Sequence, residues 1–175
     1  MTKLEAIIGN YEQFLQTVIG KVEAAGFDLD DFVQLDHMCY RTVSEENYLT
    51  KKSVLQEVAT QLHETKVNGR LIAAFRLHQP VRVASWRVDT VELPAPKEGK
   101  EFKEGLEHVE FVLYDDKDTF LKKYADKSFN LASADRGINP EIGFALDDGL
   151  SVKFHLLNLP TVVYLEKKLG ITEVK

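Results

Sequence analysis

Two segments of the chain, Leu35-Asp36-His37-Met38-Cys39-Tyr40 and Leu106-Glu107-His108-Val109-Glu110-Phe111, follow one pattern: leucine, acid, histidine, apolar residue, variable residue, aromatic ring. Each offers an imidazole, a group that binds transition metals and moves protons near neutral pH. If both segments are strands, alternation sets Leu35, His37, Cys39 and Arg41 on one face of the first, and Leu106, His108, Glu110 and Val112 on one face of the second. Each histidine then stands beside a second reactive group. Equivalent histidines on equivalent strands are what a site shared across a pseudo-twofold axis requires.

The elements that must position them can be read along the chain. Leu4, Ile7, Ile8, Tyr11, Phe14, Leu15, Val18, Ile19 and Val22 recur at helical spacing, which predicts one helix of about six turns stopping at Gly26. Its apolar stripe needs a cover, expected to be the chain's own sheet. The Asp28 to Asp31 cluster lacks the spaced oxygen ligands of a calcium loop and reads as a solvated helix entrance. After the His37 strand, Ser44-Glu45-Glu46 caps a second helix with Tyr48, Leu55, Val58 and Leu62 inward, and His63 beside them as a solvated helix residue. Asn68-Gly69 signals a hairpin between a strand ending near Val67 and one from Arg70 to His78. Gln79-Pro80 predicts another turn, with His78 at a rim, and Val81 to Pro94 a third strand in which Trp86, Val88, Thr90 and Glu92 share a face.

Pro94, Pro96 and the charged run Lys97 to Lys103 mark a linker, and the pattern then starts again. The His108 strand is followed by a helix capped by Asp115-Asp116, a weak strand near Phe129 to Ala134, and strands Ile142 to Leu146 and Leu150 to Leu157 around Asp147-Asp148-Gly149. In the last, Ser151, Lys153 and His155 share a face. A short helix from Pro160 to Leu169 ends at Gly170. First and last strands of the two halves thus supply His37, Glu92, His108 and His155 as four candidate metal ligands.

Composition narrows the function classes. A chain of 175 residues with 44% apolar content builds one sizeable core. A net charge of −6 and a pI near 5.4, with scattered basic residues, argue against a nucleic-acid partner. No stretch approaches 18 apolar residues, and the start shows no signal peptide, so the expected setting is the cytoplasm, with no membrane partner. The single cysteine, Cys39, excludes an internal disulfide and reads as a small apolar residue facing the site.

The paired strand, helix, three-strand units resemble the vicinal oxygen chelate superfamily of glyoxalases, ring-cleaving dioxygenases and resistance proteins. Asp36-His37, Asn68-Gly69-Arg70, Leu77-His78-Gln79-Pro80-Val81, Val91-Glu92-Leu93-Pro94, Glu107-His108-Val109-Glu110 and Lys153-Phe154-His155 together resemble its bacterial YecM-like branch, described as metal-binding. The resemblance covers roughly residues 30 to 160. It implies an α+β fold in which two βαβββ modules, about 31–96 and 104–160, form an incomplete barrel around one metal site. Residues 1–30 form an N-terminal helical extension to the single domain 31–175, which a short C-terminal helix closes. It implies no particular reaction.

Relatives often carry a carboxylate on the last strand of each module, where this chain has His155 in the second. Three imidazoles and a carboxylate suit zinc, iron(II), nickel or manganese. Glu110 is then either the group that takes a substrate proton or a hydrogen-bonding neighbour of the ligands. Arg41 and Arg76 are candidates to clamp an anionic substrate, with structural salt bridges the equal alternative. The leading expectation is a metal-dependent lyase, isomerase or dioxygenase acting on a small molecule with neighbouring oxygens. Alternatives are a non-catalytic metal or small-ligand binding module, and an interaction protein using its first helix. Substrate, metal and oligomeric state are not specified by the sequence.

Overall fold

The two histidine segments are the central strands of the molecule. In the structure, a computed structural model that describes residues 1–174, β1 (Phe32–Arg41) and β5 (Gly105–Leu113) run antiparallel. Met38 stands opposite Val109, His37 opposite Glu110 and Cys39 opposite His108, so the pair is related to itself by a pseudo-twofold axis through Met38 and Val109.

Each strand opens a module. The first is β1, α3 (Glu45–Leu55), β2 (Ala59–Val67), β3 (Arg70–Val83) and β4 (Trp86–Pro94). The second is β5, α4 (Lys117–Lys123), β6 (Asn130–Ser133), β7 (Glu141–Ala145) and β8 (Ser151–His155). The last strand of each module returns parallel to its first, giving one sheet in the order β6-β7-β8-β5-β1-β4-β3-β2-β9, with β9 at Glu173–Val174. This is the expected α+β architecture of paired βαβββ modules. The sheet does not close into a barrel, because β6 and β9 remain at opposite edges. It curls instead: Ser133 from one edge and Glu173 from the other line the same cavity.

One face of the sheet carries the apolar core. Leu35, Met38 and Tyr40 of β1 and Val109, Phe111 and Leu113 of β5 join it, together with α2 (Tyr11–Ala24), whose Leu15, Val18, Ile19 and Val22 are buried. The helix touches β3, β5 and β8, so the chain's own sheet covers its stripe, as expected. Burying side chains of this size contributes about 1.5–3 kcal/mol each. An aromatic cluster joins the start of the first half to the second, with Phe27 and Phe32 meeting Phe111, Phe120 and Phe154 at centroid distances of 4.7–6.4 Å.

Three local expectations are corrected, and one strand is added. The leading helix is two helices, α1 (Lys3–Ile8) and α2: Gly9 adopts φ 84°, and Asn10 starts α2 by accepting the Gln13 N–H at 3.0 Å. A pattern of apolar spacing does not register such a break, since the stripe continues across it. α3 ends at Leu55, so Leu62 and His63 lie on β2, and His63 is partly buried with Nε2 unpartnered. Gln79-Pro80 does not turn the chain; β3 runs through it as an irregularity and turns at Ala84, φ 48°. The strand β9, added in parallel to β2 after α5 (Leu159–Leu169), was not expected from the sequence.

Candidate metal centre

The face opposite the core bears His37, Glu92, His108, Glu110, Lys153 and His155, which line a cavity of about 540 Å³. How adjacent residues of β1 and β5 reach this site follows from the ladder between them. Pairing passes from Leu35–Phe111 to His37–Glu110, leaving Asp36 without a partner, and from Cys39–His108 to Tyr40–Leu106, leaving Glu107 without one. Both acids are therefore the extra residues of β-bulges, which re-aim side chains that strict alternation would send to the other face.

The bulges put each acid beside its own histidine. His37 Nδ1 donates to Asp36 Oδ2 at 2.9 Å, and His108 Nδ1 lies 3.2 Å from Glu107 Oε1. That fixes both rings with Nε2 pointing inward, and in both Nε2 is buried without a hydrogen-bond partner. A carboxylate on one imidazole nitrogen, with the other turned inward and free to exchange its proton for an ion, is how metal-binding histidines are held. Glu110 is the hub. Its Oε1 lies 3.5 Å from His37 Nε2 and 3.3 Å from His108 Nε2, and its Oε2 lies 3.5 Å from His155 Nδ1. Donor atoms of His37, Glu92 and Glu110 fall within 4.8 Å of one another, as do those of Cys39, Glu92 and His108, so Glu92 joins both histidines to the carboxylates. Cys39 contributes a fully buried sulfur to the same cluster.

His155 reaches the site differently. Asn139 Oδ1 accepts the N–H groups of Leu156 and Leu157 at 3.3 and 3.0 Å, which fixes its amide so that Nδ2 donates to His155 Nδ1 at 2.9 Å. With Nδ1 used as an acceptor, the ring's Nε2 faces Asp36 Oδ2 at 3.3 Å. Asp36 Oδ2 also accepts the Leu159 N–H at 2.8 Å, tying the site to the start of α5. The four residues expected as ligands are thus gathered in one cavity, and donor atoms of Asp36, His37 and His155 fall within 4.8 Å of one another, so His155 meets His37 across Asp36.

The pairing of β8 explains the difference. Across β1 and β4, His37 pairs with Thr90 and Cys39 with Glu92; across β5 and β8, His108 pairs with Ser151 and Glu110 with Lys153. The pseudo-symmetry equivalent of Glu92 is therefore Lys153, and His155 lies two pairs further along the strand. Lys153 Nζ donates to Glu110 Oε1 at 2.9 Å and to Glu141 Oε2 at 3.2 Å.

The electrostatics follow from this crowding. Burial opposes ionisation of the Glu110 carboxyl, but Lys153 and His37 outweigh it and hold Glu110 well below the usual carboxylate range. Glu92 is lowered in the same way, against burial, by Lys153 and His37. Burial also disfavours the charged His37 ring, yet Glu110 and Asp36 raise it well above its ordinary value, and His108 is raised against burial by Cys39 and Glu107. Asp36, Glu92, Glu110 and Glu141 against Lys153 and Arg136 leave two negative charges, matched by two imidazolium ions or by one divalent cation. The donor set therefore fits a divalent transition metal on its charge and on its orphaned nitrogens.

The two expected arginines do not face the cavity. Arg41 is buried in a bidentate pair with Glu107, its Nε 2.6 Å from Oε2, and lies over the Phe102 ring at 4.7 Å. Arg76 is exposed. The cavity's cations are Arg70, Lys97, Arg136 and Lys153. Arg70 was visible only as part of the Asn68-Gly69-Arg70 turn. Its position shows that the β2–β3 hairpin, with Val67, Asn68 and Ile72, contributes to the cavity wall.

The sequence profile of the YecM protein family matches residues 3–139. Protein YecM of Escherichia coli (strain K12) is 32% identical over 149 residues, covering 75% of this chain and 78% of that protein. A protein of Haemophilus influenzae (strain ATCC 51907 / DSM 11121 / KW20 / Rd), described as uncharacterized, is 33% identical over 113 residues, 65% of this chain and 57% of its own length. A solved structure described as "Structural Genomics, Protein EC4020" superposes with a TM-score of 0.76 at 26% identity, covering 95% of this chain and 94% of its own. The profile and the Escherichia coli relative together span both histidine strands and the hairpin at the cavity wall, and the chain belongs to the YecM family.

Proposed function

We propose that this protein binds one divalent metal ion through His37 and His108, with carboxylate oxygen from Glu92 or Glu110, and presents it to a small molecule carrying neighbouring oxygens. The observation that carries this reading is the pair of buried imidazoles whose Nδ1 atoms are held by their own preceding acids while Nε2 has no partner. Leaving such nitrogens unsatisfied in a buried cluster costs about 1–3 kcal/mol each, a cost that coordination removes. Asp36 and Glu107 orient the rings, and His155, pinned by Asn139, packs against Asp36 from the other side.

A bound divalent ion supplies Lewis acidity toward a ligand oxygen. The chain's own residues do the rest. Arg70, Lys97 and Arg136 line the cavity and favour a ligand with negative charge. Leu159 and Val162 of α5 form an apolar part of the wall. Lyase, isomerase or oxygenase chemistry fits this frame.

One observation favours the non-catalytic reading, a metal or small-ligand binding module. Glu110, the candidate proton acceptor, is tied to Lys153 and lies well below the carboxylate range, which makes it a weak base at neutral pH. Glu110 serves better as an anion of the metal cluster than as a base. Metal analysis of protein purified without a His tag and without added metal tests the common core of both readings: about one ion per chain is expected, and an absence of specific binding to any of zinc, iron(II), nickel or manganese would reject it.

A further inference from the structure

Lys153 is the one cavity residue that breaks the site's own symmetry with an opposite charge. It pairs with Glu110 across β8 and β5 as Glu92 pairs with Cys39 across β4 and β1. Its ammonium sits against Glu110 at 2.9 Å and Glu141 at 3.2 Å, and its side chain is three-quarters shielded from solvent. A protonated amine offers donors and no lone pair, so it cannot coordinate an ion and can only repel one.

We propose that Lys153 is a built-in cation that competes with the metal for Glu110: it satisfies that carboxylate in the metal-free protein and so sets how tightly a divalent ion is held. The inference rests on the metal-binding reading above and adds the residue that regulates affinity at that site. Glu141, on β7 at the cavity wall, gives Lys153 a second carboxylate. When an ion takes Glu110, the ammonium keeps Glu141 and gives up Glu110, a rotamer change within a long flexible side chain. The first half has no such competitor, since its equivalent position is the acid Glu92. The site is therefore lopsided in charge, strong on the Glu92 side and restrained on the Glu110 side.

Calorimetric titration of zinc into metal-free full-length protein tests this, with Lys153→Met to remove the charge and Lys153→Glu to restore the symmetric acid. Lys153→Gln replaces the methionine variant should that one aggregate. Arg136→Met is the control, because Arg136 lines the same cavity and lies 3.9 Å from Glu141 without a contact to Glu110. The expected result is binding at least tenfold tighter in Lys153→Met, tighter still in Lys153→Glu, and changed less than threefold in Arg136→Met. Unchanged or weaker zinc binding in Lys153→Met, beside a wild type that binds, overturns the role of Lys153 and leaves the metal reading standing. An equal gain in Arg136→Met overturns it as well, by showing a general charge effect. Zinc binding by Lys153→Met but not by the wild type supports the competitor and rejects the resident metal; binding by none of the proteins rejects both.

Discussion

The two halves of the sheet share a backbone plan and differ in what they hang on it. Both set a histidine two residues before a second reactive group on the first strand, and both place a hydroxyl and then a charged residue opposite them on the last. The first half carries Cys39 and Glu92, the second Glu110 and Lys153. Pseudo-symmetry has kept the positions of the two imidazoles while the neighbouring charges have been redistributed. A bulged acid behind each histidine is part of what was kept, so ring orientation is the feature the two halves hold in common.

The comparison extends to the core. β8 of the second half rests on stacked and tilted aromatic rings around Phe154, while on β4 of the first half the buried Val91 and Leu93 stand opposite Phe75 and Ala73. The largest expected stability effect is therefore Phe154→Ala, a loss of about 3–5 kcal/mol in chemical denaturation. A loss under about 1 kcal/mol would show that the aromatic cluster does not support β8.

The bulged acids give a sharper contrast. Asp36 is fully buried and serves His37, His155 and the Leu159 N–H, whereas Glu107 is partly exposed and shared with Arg41. Asp36→Asn should weaken metal binding by about 10- to 100-fold, the range for partners that orient a ligand histidine. Glu107→Gln should cost less. Equal losses would mean that the halves hold their rings equivalently.

Protonation offers a third contrast, this one between metal-free and metal-loaded protein. His37 and His108 have raised values when folded, so the stability they add is complete below their ordinary 6.5 and is lost as pH rises through the raised values. Glu110 is lowered, so its contribution is present above the ordinary 4.5 and is lost as pH falls through the lowered value. The melting temperature of metal-free protein should fall as pH climbs above about 6.5. The fall should be shallower in His37→Gln. Bound metal replaces these protons, so the loaded protein should keep its melting temperature into the alkaline range, and a metal-free profile flat from pH 6 to 9 would contradict the crowded-carboxylate picture.

Much of this arrangement was legible in the sequence, because a repeated Leu-acid-His pattern and alternating strands are local signals. The paired modules, the two central histidines and the position of Glu92 in the cavity follow from them. What escaped depends on register. A bulge is invisible to alternation, so Asp36 and Glu107 read as pointing away from the site they support. Assigning the symmetry mate of Glu92 required the pairing of β8 with β5, which replaces His155 with Lys153. Arg76 and Arg70 lie on the same strand, and only the fold of the hairpin shows that Arg70 faces the cavity.

The central claim is that the orphaned Nε2 atoms of His37 and His108 bind one ion together. It is tested most directly by measuring zinc stoichiometry and affinity in wild type, His37→Ala and His108→Ala, with circular dichroism to confirm folding. About one ion per chain in the wild type is predicted, with each single substitution weakening binding by at least about 100-fold, since each removes one of the few ligands of the ion. Folded variants that both retain wild-type stoichiometry and affinity would contradict it.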